Sequence, residues 1–256
     1  MRMMIDIHSH ITFGLDDGAR TVEESINMAK QAVAEGITTI IATPHHRHPS
    51  YDNPKEIVEK NVFTLNEIFA AKQIPLSVLT GQEIRLFGDL ESVLDLDEEL
   101  LTLNHSKMIL IELPPSNIPL YTEKLFYNLL VKGFIPVIAH PERNSEIARN
   151  PEKLYELIKN GAYSQVTATS VAGGFGRKVQ RLSIQMIEYQ LTHFIGSDAH
   201  NLTNRGFKWR DAWNIVDKKL GIDFSTNLQK QTLELVNNVN INKLQPEQIP
   251  RKKFFI

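Results

Sequence analysis

No cysteine occurs among the 256 residues. That excludes disulfides, thiolate metal sites and any phosphatase that works through a cysteine nucleophile. Long hydrophobic runs are missing too. No apolar stretch approaches the roughly 18 residues of a membrane span, and Met1–Ile5 lacks the apolar region of a signal peptide, so a cytoplasmic protein is expected. Nor does one sign of charge dominate. The formal net charge is −2 at pH 7, which gives no global field to gather nucleic acid or an anionic membrane. Work on an anionic substrate must therefore rest on local positive charge. What remains is an ordinary globular composition, 42% hydrophobic and 23% charged, in a length that undivided α/β barrels reach. Without repeats, low-complexity tracts or linkers, 1–256 is expected to be a single domain. Its core runs to about residue 240, with a tail at 241–256.

Strand-like and helix-like segments alternate along the chain. Runs at Met3–Ile7, Ile37–Ala42, Leu76–Thr80, Met108–Ile111, Ile135–Ala139, Tyr163–Ala168 and His193–Gly196 predict seven strands. Between them, Thr21-Val22-Glu23-Glu24 forms a capping box, followed by Val22, Ile26, Ala29 and Val33 at helical spacing and a stop at Gly36. Pro54 opens a second helix with Val58, Val62, Leu65 and Phe69 on one face. Further helices are expected at Leu120–Val131, Pro151–Asn160, Gly176–Gln190, Lys208–Lys219 and Phe224–Asn238. Such alternation argues for a parallel sheet with helices outside. The acidic interval Arg85–Lys107 (Asp89, Glu91, Asp95, Asp97, Glu98, Glu99) breaks the rhythm and reads as a surface loop with a short helix. The end, with Arg251-Lys252-Lys253 before Phe-Phe-Ile, reads as a strapped-down or frayed terminus.

Histidines and acids stand where these strands run out. They are His8, His10, His45, Glu83, Glu112, His140, Asp198 and His200. From His8 the steps are 37, 38, 29, 28 and 58 residues, and one strand–helix unit needs roughly 30. Alternate residues of a strand project to one face, so His8 with His10, and Asp198 with His200, make paired arms of a site. Glu112 ends an apolar strand, where an unpaired carboxylate would be costly, and Lys107 is the only base close in sequence; metal is preferred to an ion pair there. His45 is taken to face inward rather than its neighbour His46, while His48, His105 and His193 are set aside. Nitrogen and oxygen ligands without sulfur suit manganese, iron or zinc. Eight ligands are too many for one ion, and Asp17 makes nine, enough for two or three.

These motifs resemble the polymerase-and-histidinol-phosphatase (PHP) superfamily. Within it they are most similar to the bacterial protein-tyrosine phosphatases of capsule and exopolysaccharide loci, the CpsB/YwqE type. The resemblance is carried by Met4-Ile-Asp-Ile-His-Ser-His, Asp16-Asp17-Gly18, Thr43-Pro-His45, Gly81-Gln-Glu83, Ile-Glu112-Leu, Ala-His140-Pro-Glu-Arg143 and Ser-Asp198-Ala-His200-Asn, in that order over nearly the whole chain. It implies a distorted seven-stranded β/α barrel with a trinuclear centre, usually active with manganese. His8, His10, Glu83 and Asp198 would hold one ion, Glu83, Glu112 and His140 a second, and Asp17, His45 and His200 a third. Asp17 is preferred to its neighbour Asp16. The implied substrate is the phosphorylated tyrosine-rich tail of a bacterial tyrosine kinase that controls polysaccharide synthesis, and possible further partners are that kinase's own substrates.

The expected chemistry is in-line attack on phosphorus by a hydroxide that the metal ions stabilise near neutral pH, without a phosphoenzyme. Arg143 and Arg205, at the rim, are the catalytic candidates for binding phosphate oxygens, with Arg47 a third. Tyrosinate leaves readily because phenol has a pKa of about 10, so an aryl ester should turn over faster than phosphoserine. Three other readings compete. One is hydrolysis of histidinol phosphate or another small phosphomonoester. Another is an amidohydrolase, disfavoured by Glu112 where a carboxylated lysine would stand. The last is a metal-dependent binding module without activity.

Overall fold

Parity within each strand decides what it buries. In Met108–Glu112, Ile109 and Ile111 join the apolar layer beneath the helices, whereas Met108 and Leu110 belong to a second, inner cluster. Glu112 shares the inner parity and ends the strand. The computed structural model describes residues 4–94 and 99–250. Met3 of the first expected strand, Asp95, Asp97 and Glu98 of the acidic interval, and the terminal Arg251–Ile256 lie outside the described residues.

The first half of the chain runs β1 (Ile5–Ser9), α1 (Val22–Ala34), β2 (Thr39–Ala42), β3 (His45–His46), α2 (Lys55–Ala71), β4 (Ser77–Thr80), β5 (Glu83–Arg85), α3 (Leu90–Leu94) and β6 (Met108–Glu112). The second runs α4 (Thr122–Val131), β7 (Ile135–Ala139), α5 (Ser145–Arg149), α6 (Glu152–Lys159), β8 (Tyr163–Thr167), α7 (Ala168–Ala172), α8 (Arg177–Glu188), β9 (Phe194–Gly196), α9 (Trp209–Lys219) and α10 (Ile222–Val236). Strands β1-β2-β4 form one parallel sheet and β3-β5-β6-β7-β8-β9 another.

Among the described residues, nine strand segments therefore stand where the sequence predicts seven. The two additions are β3 and β5, which follow the ends of the expected strands Ile37–Ala42 and Leu76–Thr80 across Thr43-Pro44 and Gly81-Gln82. Pro44 has no N–H to give to a ladder. At Gly81 a Cβ would stand 2.8 Å from Ile41 Cγ2 and 3.3 Å from the Ala42 carbonyl oxygen, so the packed Ile41 side chain leaves no room there for another. The chain after β9 meets β1: Asp198 N donates to His8 O at 2.8 Å and His10 N to Ala199 O at 2.9 Å. This contact brings the first and last ligand pairs side by side.

The helices pack their apolar stripes outside the strands. Val58, Val62, Leu65 and Phe69 of α2 are buried at the expected spacing, as are Ile26 and Ala29 of α1. Thr21 caps α1, its hydroxyl accepting from Glu24 N at 3.2 Å, but Glu24 reaches back to Arg20 N (2.8 Å), one residue before the box predicts. The interval 85–107 is less of a surface loop than expected, because Leu90, Leu94, Leu100 and Leu101 are buried in the main core and Leu103 in the inner cluster. The short helices α5 and α7 are also unforeseen; β8 stops at Thr167, whose hydroxyl caps α7 by accepting from Ser170 N at 3.1 Å. Through residue 250 the tail is strapped down: Lys243 Nζ donates to Ala162 O at 2.7 Å and Glu247 N to Tyr189 O at 2.9 Å. No helix among the described residues is long and apolar enough to cross a membrane.

Candidate metal centre

All nine sequence-predicted ligands meet at the carboxyl ends of the strands. Donor atoms of His8, His10, Glu83 and Asp198 lie within 4.8 Å of one another, as do those of His10, Asp17, His45 and His200, and those of His45, Glu83 and Glu112. Glu83 joins the sets. Its Oε2 stands 3.4 Å from His8 Nε2, 3.3 Å from His10 Nε2 and 3.1 Å from His45 Nδ1, while its Oε1 is 2.7 Å from His140 Nε2. The grouping differs from the expected one in two places. His10 also stands with Asp17, His45 and His200, and His45 rather than His140 converges with Glu83 and Glu112, His140 reaching the centre through Glu83, with its ring centroid 5.7 Å from that of His8.

Hydrogen bonds behind the histidines fix which ring nitrogen faces inward. Gln165 Nε2 donates to Val166 O at 2.8 Å, so its Oε1 faces His8 and accepts from Nδ1–H at 2.9 Å. Asp16 Oδ2 accepts from His10 Nδ1–H at 2.6 Å, and the carbonyl of Asp198 accepts from His200 Nδ1–H at 2.9 Å. Each leaves an Nε2 lone pair pointing into the centre, the arrangement that sets tautomer and orientation for metal-binding imidazoles. Asp16 thus stands behind His10, and Asp17 stands in the cluster, 3.2 Å from His200 Nε2. Sequence reasoning missed Gln165 and Asp6. Asp6 Oδ1 accepts from Ser197 N (2.8 Å) and His8 N (3.2 Å), tying β1 to the loop of Asp198. A glutamine inside the strand Tyr-Ser-Gln-Val-Thr was the available signal, since a buried amide needs partners. Room for Gln165 depends on Gly196, where a Cβ would come within 2.7 Å of both Gln165 Nε2 and His8 Cβ.

The donor set fits divalent cations. Asp17, Glu83, Glu112 and Asp198 crowd four carboxylates together, and buried Glu83 Oε2, Asp198 Oδ1, His45 Nδ1 and His200 Nε2 have no hydrogen-bond partner. Burial alone would push the Glu83 carboxyl up, but positive charge on His8, His45 and His140 outweighs it and holds the group well below its ordinary value. Asp198 is likewise low: burial opposes, and His200, His10 and His8 prevail. Conversely, burial disfavours charge on His10, but Asp16, Asp198 and Glu83 raise it well above the usual imidazole value. His140 (φ 34°) and Asp198 (φ 53°) both adopt the left-handed region, strain that the surroundings impose on the residues aimed at the centre.

Both predicted rim arginines reach the cluster. Arg143 Nη1 donates to Asp198 Oδ2 at 2.5 Å, and Arg205 Nη1 to Asp17 Oδ2 at 2.9 Å. Arg47 does not: it pairs with Glu99 and lies 5.7 Å from the centroid of the Phe87 ring. Glu112 has a basic partner that sequence proximity hides, because β5–β6 register sets Arg85 opposite it, with Nη1 2.8 Å from Oε2. His46 turns away toward Asp52, as expected, and His193 is buried at the start of β9, accepting from Ser164 N at 3.3 Å. His48, set aside in the sequence, stacks on His45 with ring centroids 4.7 Å apart.

Parallel strands ending in a shared histidine–carboxylate centre define an α/β protein built to hold divalent metal. The chain belongs to the family of capsular polysaccharide synthesis proteins CpsB/CapC, which matches residues 4–236. It is 45% identical over 252 residues to the tyrosine-protein phosphatase YwqE of Bacillus subtilis (strain 168), covering 98% of this chain and 99% of that one. With the tyrosine-protein phosphatase CpsB of Streptococcus pneumoniae it shares 33% identity over 224 residues, 85% of this chain and 91% of the other. A solved structure from a set described as YwqE from Bacillus subtilis and CpsB from Streptococcus pneumoniae, unique metal-dependent tyrosine phosphatases, superposes with a TM-score of 0.94. It is 45% identical and covers 97% of this chain and 100% of that chain.

Proposed function

We propose that this chain is a metal-dependent protein-tyrosine phosphatase of capsule or exopolysaccharide synthesis. The observation that carries the reading is the convergence of His8, His10, Asp17, His45, Glu83, Glu112, His140, Asp198 and His200 beside two arginines, in a chain of the CpsB/CapC family. We read the two sheets together as a distorted seven-run β/α barrel of the PHP type within one domain, the breaks in two runs being its distortion. The ligands would hold two or three ions, manganese first, with iron or zinc as alternatives, and Glu83 shared between them. Such ions supply acidity to a water nucleophile and positive charge to phosphoryl oxygens.

The chain's own groups do the rest. Each guanidinium has five N–H donors. Arg143 gives one to Asp198, and Arg205 gives one to Asp17 and one, at 3.5 Å, to Asp198. The remaining donors would bind and orient a phosphate and offset charge growing on its oxygens. Ion pairing to the ligand acids fixes both side chains in advance, so little ordering is left for substrate binding to accomplish. The phenolate of tyrosine leaves without strong acid help, its conjugate acid having a pKa of about 10. The partner we propose is a bacterial tyrosine kinase carrying phosphotyrosine in its tail, which this chain would meet in the cytoplasm, with that kinase's substrates as further candidates.

Phosphate release from a phosphotyrosine peptide, compared with histidinol phosphate, tests this reading. The peptide should be much the better substrate, and His200→Ala and Glu112→Ala should each abolish its turnover with circular dichroism unchanged. Wild-type rates in either variant, or preference for histidinol phosphate, would overturn it.

A further inference from the structure

Aromatic rings stand beside the charged groups at the mouth of the centre. Beyond His45 the turn from β3 to α2 carries two half-buried rings, His48 and Tyr51. The three rings lie nearly parallel. His45 and His48 are 4.7 Å apart at 20°, His48 and Tyr51 5.5 Å apart at 22°, and His45 and Tyr51 6.0 Å apart at 9°.

The turn that presents them is pinned. His48 N donates to Tyr51 O at 3.0 Å and Tyr51 N to His48 O at 3.1 Å, closing a two-bond bridge. Ser50 N donates to His48 Nδ1 at 3.2 Å, which fixes the imidazole plane. Arg47, left-handed at φ 54°, starts the turn and is held by Glu99, and Arg47 N donates to Asp52 Oδ1 at 3.3 Å. At the other end Asn53 Nδ2 donates to Leu15 O (2.9 Å) and His45 O (2.8 Å), locking the turn to the loop of Asp17. A rigid aromatic face is thereby set against a polar centre without serving the core.

We propose that Tyr51 and His48 form a wall that receives the phenol ring of the substrate, making this turn a selector for aryl over alkyl phosphoesters. The inference rests on the phosphatase reading and names what it leaves open. The aryl ring of a phosphotyrosine begins one ester bond from phosphorus, so the surface that meets it must adjoin the ligand cluster. Tyr51 and His48 meet that condition through His45. Offset or tilted stacking between rings about 4.5–7 Å apart is favourable beyond area burial. An alkyl ester such as phosphoserine has no face to stack.

Two other features at the mouth fit a ring less well. Phe175 is engaged under the Arg143 guanidinium, 5.3 Å from its ring centroid. A cleft of about 310 Å³ opens beside Asp17 and His200, but Arg20, Glu24, Asn201 and Thr203 give it a polar rim, with Leu202 and Met28 as its apolar lining.

The test measures kcat and KM for a phosphotyrosine peptide and for the same peptide with phosphoserine, together with inhibition by inorganic phosphate, in Tyr51→Ala, Tyr51→Phe, His48→Ala and Leu202→Ala. Losing the wall should raise KM for the phosphotyrosine peptide roughly two- to tenfold, the scale of one aromatic contact. KM for phosphoserine and the phosphate inhibition constant should stay as in the unsubstituted chain, and Tyr51→Phe should behave like it. Equal losses on both peptides, or on phosphate, would mean that the rings only buttress His45 and would overturn the proposal. So would a phosphotyrosine defect confined to Leu202→Ala. No release by the unsubstituted chain removes the phosphatase reading and this one with it; release that Tyr51→Ala leaves unchanged removes this one alone.

Discussion

His8 depends on Gln165 twice: for its tautomer, through the 2.9 Å bond to Oε1, and for its ring plane. Partners of this kind are typically worth 10–100-fold in metal affinity. Gln165→Leu should therefore weaken manganese binding by roughly that factor, measured by titration of the stripped protein, while its thermal unfolding stays cooperative. Gly196→Ala should act the same way from the opposite side, because its methyl would occupy the space of the Gln165 amide and His8 Cβ. The first sign would be lost metal affinity; a variant that bound metal normally would contradict this packing. At this scale the sequence was legible where parity applied: His8 with His10 and Asp198 with His200 stand as the i, i+2 rule places them. It was not legible where register decides. Arg85 lies opposite Glu112 only because β5 and β6 pair as they do, 27 residues apart in the chain, and His48 reaches His45 only through the bridge to Tyr51.

Among the elements, those with long periodic faces were readable and short ones were not. Helices α1 and α2 declared themselves by apolar residues at helical spacing, and Thr21 marked the start of the first. Thr21→Ala should cost about 1 kcal/mol in a denaturant midpoint and leave kcat/KM for a phosphotyrosine peptide unchanged, since the cap touches no ligand. Five-residue α5 and α7 offer barely one turn of periodicity, and the β-prone Tyr163–Thr167 runs into α7 without a break. Thr167 makes the transition, its N–H and hydroxyl both donating to Glu142 Oε1 (2.9 and 3.1 Å). This bond couples the end of β8 to the turn that carries His140 and Arg143. The extra segments β3 and β5 share a simpler cause: pairing resumes for two or three residues beyond the proline and the glycine at which the expected strands stop, too short a run for residue preference to mark.

For the whole molecule, stability and chemistry reside at opposite ends of the strands. His193, where β9 begins, is held well below the ordinary imidazole value, first by burial and then by the charge of Lys243. An unfolded imidazole titrates near pH 6.5. Below that pH the unfolded chain takes up a proton that the folded chain refuses, so stability falls as pH drops from about 7 toward 5. His193→Asn, whose amide oxygen can accept from Ser164 N as Nδ1 does, should flatten that loss in urea midpoints measured across the range. A steeper acid loss in the variant would contradict the assignment. At the other end, the contact of Asp198 and Ala199 with β1 assembles acids and imidazoles whose mutual charge a cation would relieve. The most direct measurement strips the protein of metal, confirms by circular dichroism that it stays folded, and follows phosphate release from a phosphotyrosine peptide as manganese, iron or zinc is added back. The expected result is no release from the stripped protein and recovery that saturates at two or three ions per chain. Undiminished release without metal, or none with any of the three ions bound, would contradict the account.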